Sequence, residues 1–204
     1  MELEKLVEEG LRLFAIPYDV KAINSLHFYV TELDKWNKGM NLTGLKEPSS
    51  IIRELLYDAF FLCTRFEGIR SILDLGSGSG ILGIPAKILH EDLVVFSVDK
   101  SMKKIQFQRH MRRLLMLKDF NPFHSKAEAL EFLNVDACVV KGFGGVGVIL
   151  EKGGRHVKPG GCAMLLRGKA DEPPRYGEFQ LEKAISYSLP GNDKTYRLLI
   201  YRKE

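Results

Sequence analysis

A glycine-rich segment directly follows a short apolar run that contains an acid. Residues 69–75 form the run, Asp74 is its acid, and glycines alternate from Gly76 to Gly80. Glycines let the backbone turn tightly and approach a ligand closely, because no Cβ atom intervenes. Residues 81–89 are apolar and predict a helix, whose N-terminus offers free N–H groups and a partial positive charge. The segment predicts the strand–loop–helix start of a nucleotide-binding α/β domain.

Two ligand classes fit this loop. Residues 78–83 match the G-x-G-x-x-G pattern of dinucleotide-binding domains, and residues 74–80 match the acid-x-G-x-G-x-G pattern of S-adenosylmethionine-dependent methyltransferases. Asp74 favours the second class, because an acid can pair with the ammonium and sulfonium groups of S-adenosylmethionine and would repel a pyrophosphate. An NAD-type oxidoreductase and a glycine turn without ligand stay as alternatives.

A second acid follows the next predicted strand. Residues 93–98 are almost continuously apolar, as in a strand buried on both faces of a parallel sheet, and Asp99 ends them. Nucleotide-binding α/β folds place an acid about 20 residues past the glycine loop to hold the ribose hydroxyls. NAD and S-adenosylmethionine both contain that ribose, so Asp99 does not separate the two ligand classes.

Basic side chains crowd the helix that is predicted after Ser101, through about Leu117. They are Lys103, Lys104, Arg109, His110, Arg112 and Arg113. Charges of one sign destabilise a helix unless a polyanion lies nearby, so this face is either simply solvated or a nucleic-acid contact.

The later part of the chain predicts three more buried strands and a closing hairpin. The strands are residues 120–123, 135–140 and 162–166, and residues 158–161 are predicted to form a turn. A helix is expected over residues 146–157. Residues 179–189 and 196–201 alternate around a Pro-Gly-Asn-Asp turn, which predicts an antiparallel hairpin. Such a hairpin is usual in methyltransferase sheets and not typical of dinucleotide domains.

Residues 1–48 predict an N-terminal helical region, followed by the nucleotide-binding domain over residues 49–204. Pro17 separates two helices with apolar stripes. A further helix is expected through about Arg65, with Ser49 or Ser50 as its N-cap. Asp58 in this helix is either an exposed acid or a group near the ligand's ammonium or the target base.

Composition narrows the functional class. The chain has 204 residues and a net charge of +4, and it has three widely separated cysteines that look like small buried residues in a reducing compartment. No apolar run reaches the roughly 20 residues that span a bilayer, and the acidic start is unlike a secretory signal. The histidines show no metal-ligand spacing. A cytoplasmic protein without a metal site is expected.

Taken together, these motifs resemble the RsmG (GidB) family, which methylates guanine N-7 in bacterial small-subunit (16S) ribosomal RNA. The resemblance covers nearly the whole chain. It rests on Met40-Asn41-Leu42-Thr43, Asp58, residues 74–80 with Gly83-Ile84-Pro85, Val98-Asp99 with Lys103-Lys104, Ala127-Glu128, and Pro159-Gly160-Gly161. The family implies a Rossmann-like class I methyltransferase sheet, mostly parallel, that uses S-adenosylmethionine.

The resemblance implies cofactor contacts at Gly76, Ile81, Asp99, Ala127 and Glu128. Asp74, Gly78, Gly80 and Lys141 complete the candidate cofactor set. No metal is expected. The partner is ribosomal RNA or the small ribosomal subunit, for which Lys103, Lys104, Arg109, Arg112 and Arg113 are candidate contacts.

Substrate positioning is assigned to Asp58, Lys141 and Arg167. No general acid or base is expected, because guanine N-7 presents a free lone pair and has no proton to lose. Phe143 and Tyr57 are candidates for stacking on the base, with ordinary core packing as the alternative.

The chain departs from the family's usual pattern in three places. It has Val140-Lys141-Gly142 for Ser-Arg-Ala, Asp58-Ala59 for Asp-Ser, and Leu166-Arg167-Gly168 for Leu-Lys-Gly. Positive charge is kept, but Arg and Lys are not interchangeable where two parallel hydrogen bonds are needed. An RNA-binding protein that binds the cofactor without methyl transfer therefore stays as another alternative.

Overall fold

A computed structural model describes residues 2–168, 172–191 and 193–204. Within them, one sheet has the strand order β3-β2-β1-β4-β5-β8-β7-β6. The strands are β1 Ser71–Leu75, β2 Val94–Asp99, β3 Phe120–His124, β4 Val135–Lys141, β5 Val157–Arg167, β6 Arg175–Tyr176, β7 Phe179–Ser188 and β8 Thr195–Lys203.

The helices lie between and before these strands. They are α1 Glu2–Leu13, α2 Val20–Met40, α3 Pro48–Ile51, α4 Tyr57–Cys63, α5 Gly83–Leu89, α6 Met102–Leu114 and α7 Val146–Lys152. A π-helical turn, Ile52–Leu56, joins α3 to α4, and 3₁₀ turns span Ala127–Ala129 and Gly154–His156.

The direction of β8 distinguishes this sheet from a dinucleotide-binding one. Strands β1 to β5 pair in parallel, whereas β8 is antiparallel to β5 and β7 is antiparallel to β8. The predicted mostly parallel sheet and its closing hairpin are confirmed, although Asn192 of the hairpin turn lies outside the described residues. The strand order reverses between β1 and β4, and open α/β sheets bind ligands at the carboxyl ends of strands on either side of such a reversal.

Alternation along the strands sends side chains to two separate cores. Ile72 and Val139 join a large cluster beneath the N-terminal helices, whereas Leu73 and Val140 join a smaller one beneath α7. By the same alternation, Asp74 of β1 and Lys141 of β4 leave the sheet on the side of the N-terminal helices. Helices α1 and α2 belong to the large cluster; the boundary at residue 48 stays a prediction.

Several predicted boundaries are wrong. Glu47 is the N-cap of α3, with Pro48 as its first residue, so neither Ser49 nor Ser50 caps it. Pro is favoured there because its missing N–H would have no partner. Helix α7 stops at Lys152 before two glycines, a 3₁₀ turn follows, and the turn expected over residues 158–161 belongs to β5 at an irregularity in its pairing with β4.

The three cysteines are buried and unbridged, as predicted. Burial raises the pKa of Cys162 to about 11, so its thiol stays protonated near neutral pH. Among the described residues, no helix combines the length and the apolarity that crossing a bilayer requires.

Candidate cofactor and substrate site

The glycine loop adopts a conformation that requires glycine. Gly76, Gly78 and Gly80 have φ values of +68°, +60° and +79°. A Cβ on Gly80 would lie 2.6 Å from Ile84 Cδ1, so that position has no space for a side chain. Among the described residues, and apart from its chain neighbours, Gly78 has one atom within 4 Å of such a Cβ, Lys104 Nζ at 3.9 Å, which leaves open space for a ligand against the backbone.

Two buried side chains hold the loop from behind. Gln108 Nε2 of α6 donates to Ser77 Oγ at 2.8 Å and to the Gly78 carbonyl at 2.7 Å. The Tyr29 hydroxyl of α2 donates to the Ser79 carbonyl at 3.2 Å. Neither residue was predicted from the sequence. Gln108 carried a signal, because it is a polar residue next to Phe107 on the apolar stripe of a basic helix.

Asp74 is almost fully buried beneath the loop. Its Oδ2 accepts a hydrogen bond from Gly83 N at 2.9 Å, where α5 begins. Burial raises the pKa of Asp74 to about 7, the hydrogen bond from Gly83 opposes this rise, and the negative charge of Asp99 adds to it. A positive charge bound nearby would therefore stabilise the ionised form of Asp74.

Asp99 joins the glycine loop to the start of α6. Its Oδ2 accepts from Gly78 N at 2.9 Å, and its Oδ1 accepts from Ser101 N at 2.7 Å. The residue is 9% exposed, so it is largely buried at the carboxyl end of β2. Both predicted acids thus lie at this loop.

Asp58 and Lys141, far apart in sequence, form an ion pair in which the carboxylate is buried and the lysine is partly exposed. Lys141 Nζ lies 2.6 Å from Asp58 Oδ2 and donates to the Glu54 carbonyl at 2.7 Å. The Tyr187 hydroxyl of β7 donates to Asp58 Oδ1 at 2.7 Å. Because Asp58 is 1% exposed, its interpretation as an exposed acid is wrong. No pattern in the sequence indicated Tyr187, which is 129 residues from Asp58 along the chain.

Arg167 and Phe143 meet at the ends of β5 and β4. Arg167 Nη1 donates to the Phe143 carbonyl at 3.2 Å and also contacts the Gly144 carbonyl. The Phe143 ring lies against Gly76, since a Cβ there would be 3.1 Å from Phe143 Cδ2. Phe143 is thus placed at the loop and stays a stacking candidate.

Tyr57, the other stacking candidate, lies elsewhere. It is 1% exposed, its hydroxyl donates to the Leu6 carbonyl at 2.8 Å, and its ring stacks on Phe60. Of the two interpretations of Tyr57, core packing is the one observed, because α1 covers the ring.

Ala127 and Glu128 form a 3₁₀ turn after β3. The Ala127 carbonyl hydrogen-bonds His156 Nε2 at 3.0 Å, and Glu128 Oε1 pairs with Lys152 Nζ at 2.5 Å. The hydrogen bond from Lys152 is the main cause that lowers the pKa of Glu128, so the exposed side chain is an anion. Their contact with the cofactor stays a prediction.

The basic face of α6 is only partly uniform. His110 Nε2 lies 3.0 Å from Glu32 Oε2, so one member of the predicted cluster faces an acid of α2 instead. Lys103 Nζ donates to the Met40 carbonyl at 2.5 Å. Arg109, Arg112 and Arg113 are exposed and line a surface groove of about 440 Å³ together with Met116, Leu117 and Lys118.

Comparison with known proteins decides the family. A profile of the family described as rRNA small subunit methyltransferase G (GidB) matches residues 22–194. The ribosomal RNA small subunit methyltransferase G of Geobacter sp. (strain M21) is 30% identical over 209 residues, which cover 97% of this chain and 96% of the relative. The chain belongs to the rRNA small subunit methyltransferase G family. The methyltransferase G of Neisseria meningitidis serogroup C is 28% identical, with 100% of both chains covered.

Solved structures confirm the fold of this methyltransferase G family member. A SAM-dependent methyltransferase from Aquifex aeolicus matches with a TM-score of 0.57 and 18% identity, over 79% of this chain and 96% of that one. TrmN from Thermus thermophilus also has a TM-score of 0.57, with 20% identity over 72% of this chain and 49% of its own. The predicted Rossmann-like methyltransferase sheet is thereby confirmed.

Proposed function

We propose that this chain transfers a methyl group from S-adenosylmethionine to N-7 of a guanine in small-subunit (16S) ribosomal RNA. Family membership supports the reaction and the RNA. The observation that carries the ligand assignment is the pair of acids at the glycine loop. Asp74 lies buried beneath it, and Asp99 is bonded to Gly78 N.

The residues at the loop fit a cationic nucleoside. The raised pKa of Asp74 shows that its ionised form lacks a compensating charge, which an ammonium or sulfonium would supply and a pyrophosphate would not. The space over Gly78 admits a ligand, and Asp99 lies where a carboxylate can bind ribose hydroxyls. We assign the cofactor contacts to Asp74, Gly76, Gly78, Gly80, Ile81, Asp99, Ala127 and Glu128. An NAD-type oxidoreductase is disfavoured by Asp74 and by the closing antiparallel hairpin.

The reaction requires mainly that the protein align the cofactor with the guanine. The cofactor supplies an electrophilic methyl group, and guanine N-7 needs no deprotonation before it attacks. Holding two reactants in line can supply about 7–11 kcal/mol of barrier reduction. Asp58, Lys141 and Arg167 are fixed by hydrogen bonds at the carboxyl ends of the strands, so they suit positioning.

The RNA surface is assigned to α6. Its exposed Arg109, Arg112 and Arg113 can neutralise phosphates, while Lys104 Nζ lies beside Gly78 of the glycine loop. Side chains cannot read the deep, narrow major groove of A-form RNA, where N-7 is displayed. The target guanine is therefore expected in a loop or another unpaired segment.

The decisive experiment is transfer of tritiated methyl groups from S-adenosylmethionine to small ribosomal subunits that lack the modification. Label mapped to N-7 of one guanine is the expected result. Asp99→Asn should lose cofactor affinity in calorimetry, whereas Asp92→Asn, an exposed acid before the same strand, should bind normally. Cofactor binding without any transfer would favour the RNA-binding alternative, and absence of cofactor binding would contradict the proposal.

A further inference from the structure

Two unusual structural features converge on one ammonium group. The first is the π-helical turn Ile52–Leu56, a rare conformation that occurs mostly as single turns and often at functional sites. It interrupts the helical run before Asp58, and the Glu54 carbonyl within it accepts a hydrogen bond from Lys141 Nζ at 2.7 Å. A carbonyl inside a helix is thus used by a side chain from the sheet.

The second feature is an ion pair with a third member. Both oxygens of Asp58 are occupied, Oδ2 by Lys141 Nζ at 2.6 Å and Oδ1 by the Tyr187 hydroxyl at 2.7 Å. The Tyr187 ring stacks on Phe61 of α4, with centroids 4.0 Å apart and planes at 17°. Burial, and after it the charge of Asp58, raises the pKa of Tyr187, so its hydroxyl stays protonated and donates.

Stability alone does not explain this arrangement. Holding the Asp58 carboxylate out of water is costly, and a buried ion pair is often no more stabilising than apolar residues of the same volume. The arrangement fixes the direction of the Lys141 side chain, which is long and otherwise flexible.

Lys141 is held where the reaction would take place. In the parallel pairing of β1 with β4, Asp74 lies opposite Val139. Two residues further along each chain, Lys141 is therefore level with Gly76 of the glycine loop. Its side chain is 25% exposed and therefore open to a ligand. An ammonium has three N–H donors, of which Glu54 and Asp58 take two, and no other acceptor within the described residues takes the third.

A donor without acceptor capacity can distinguish the two purines. Guanine and adenine both present an N-7 lone pair, so N-7 alone does not identify the base. At the neighbouring position guanine carries the O6 acceptor, whereas adenine carries an amino donor. An ammonium can bond the first and is repelled by the second, because it only donates.

We propose that Lys141 selects guanine by donating to O6, and that Asp58, Tyr187 and the Glu54 carbonyl are positioning groups that direct its ammonium. This inference rests on the proposed methyl transfer to N-7. It assigns Lys141 to the substrate rather than to the cofactor, and it gives Tyr187 a role in base recognition.

Replacement of the target base tests the contact in the unmodified protein. Ribosomal RNA is prepared with guanine, inosine or 2-aminopurine at the target position; inosine keeps O6, and 2-aminopurine lacks it. Inosine should be methylated about as well as guanine, and 2-aminopurine should lose about 10- to 100-fold in kcat/KM, the range for a hydrogen bond to a charged group. Equal transfer to guanine and 2-aminopurine would overturn the inference.

Variants separate the contact from the intrinsic reactivity of the analogues. Lys141→Met should lower the guanine to 2-aminopurine ratio by the same factor, while cofactor affinity in calorimetry stays unchanged; Lys141→Arg should restore part of the ratio. Tyr187→Phe should lower the ratio several-fold. Tyr201 of β8 donates its hydroxyl to the Pro173 carbonyl, away from Lys141. Tyr201→Phe should therefore leave the guanine to 2-aminopurine ratio unchanged.

Each remaining outcome has one meaning. If the guanine to 2-aminopurine ratio stays constant in both Lys141→Met and Tyr187→Phe, this inference is overturned and the proposed function is not. A loss of cofactor affinity in Lys141→Met has the same meaning. If Lys141→Met fails to fold because Asp58 is left unpaired, the analogue series and Tyr187→Phe decide. Absence of transfer from the unmodified protein to guanine RNA overturns the proposed function and this inference with it.

Discussion

Asp74→Asn should stabilise the cofactor-free protein at alkaline pH. Folding raises the pKa of this carboxyl from its usual 3.8 to about 7, because Asp74 is buried. The folded state therefore binds the Asp74 proton more tightly than the unfolded chain does. The favourable contribution of protonated Asp74 to the free energy of unfolding is complete below about pH 4. It is lost as pH rises through 7, since the folded state must then hold a buried charge.

The expected magnitude follows from the two pKa values. A difference of that size corresponds to about 4 kcal/mol between the protonated and the ionised site, as an upper bound. Asparagine keeps the carbonyl that accepts from Gly83 N and carries no charge. The variant should thus gain up to about 4 kcal/mol at pH 8 and almost nothing near pH 4.

Urea unfolding of both proteins at several pH values measures this difference. The control is Asp92→Asn, an exposed acid that should show no such gain. A variant that is less stable than the unmodified protein at pH 8, or a gain that does not depend on pH, would refute the assignment of a strained carboxylate to Asp74.

Three further predictions concern the glycine loop and α6. Cofactor binding should release close to one proton below pH 7, because Asp74 ionises when the cofactor binds. The Kd for the cofactor should therefore weaken roughly tenfold from pH 8 to pH 6. Asp74→Asn should abolish the proton release, which calorimetry in two buffers measures. Gly80→Ala should cost about 1–3 kcal/mol in urea unfolding, because its φ is +79° and the methyl group meets Ile84; a neutral result would mean that the loop relaxes. Removing the side chains of Arg112 and Arg113 to alanine should weaken RNA binding and lower the slope of log K against log salt by about 1–2, with cofactor affinity unchanged; an unaltered slope would place the RNA elsewhere.

The structure changes which basic residues of α6 suit a test of RNA binding. Lys103 and Lys104 were candidate RNA contacts from the sequence, in the first turn of the helix that follows Asp99. Lys104 Nζ lies beside Gly78, however, and Lys103 hydrogen-bonds the Met40 carbonyl. Reversing their charges would disturb the cofactor loop and the end of α2 as well as RNA binding, so Arg112 and Arg113 separate the two functions better.

Local patterns predicted the parts of the site that depend on neighbours in sequence. The glycine loop, the acids at the ends of β1 and β2, and the closing hairpin follow from strand length, alternation and turn residues. Tyr187 could not be predicted, because nothing in its own strand indicates that its hydroxyl reaches Asp58 of α4. For a related reason both interpretations of Tyr57 stayed open, since nothing near it in sequence indicates that α1, and not a ligand, covers its ring.

The placement of β8 has a consequence for the order in which the molecule can assemble. β8 lies between β5 and β7, although β7 precedes it in the chain. During synthesis β7 therefore has no place in the sheet until β8 has emerged, and β5 meanwhile presents an unpaired edge, the kind that invites non-native pairing. Because Tyr187 belongs to β7, the contact with Asp58 closes only after this late step. A nascent chain that already contains the whole glycine loop would still lack the hydrogen bond from Tyr187 that orients Asp58.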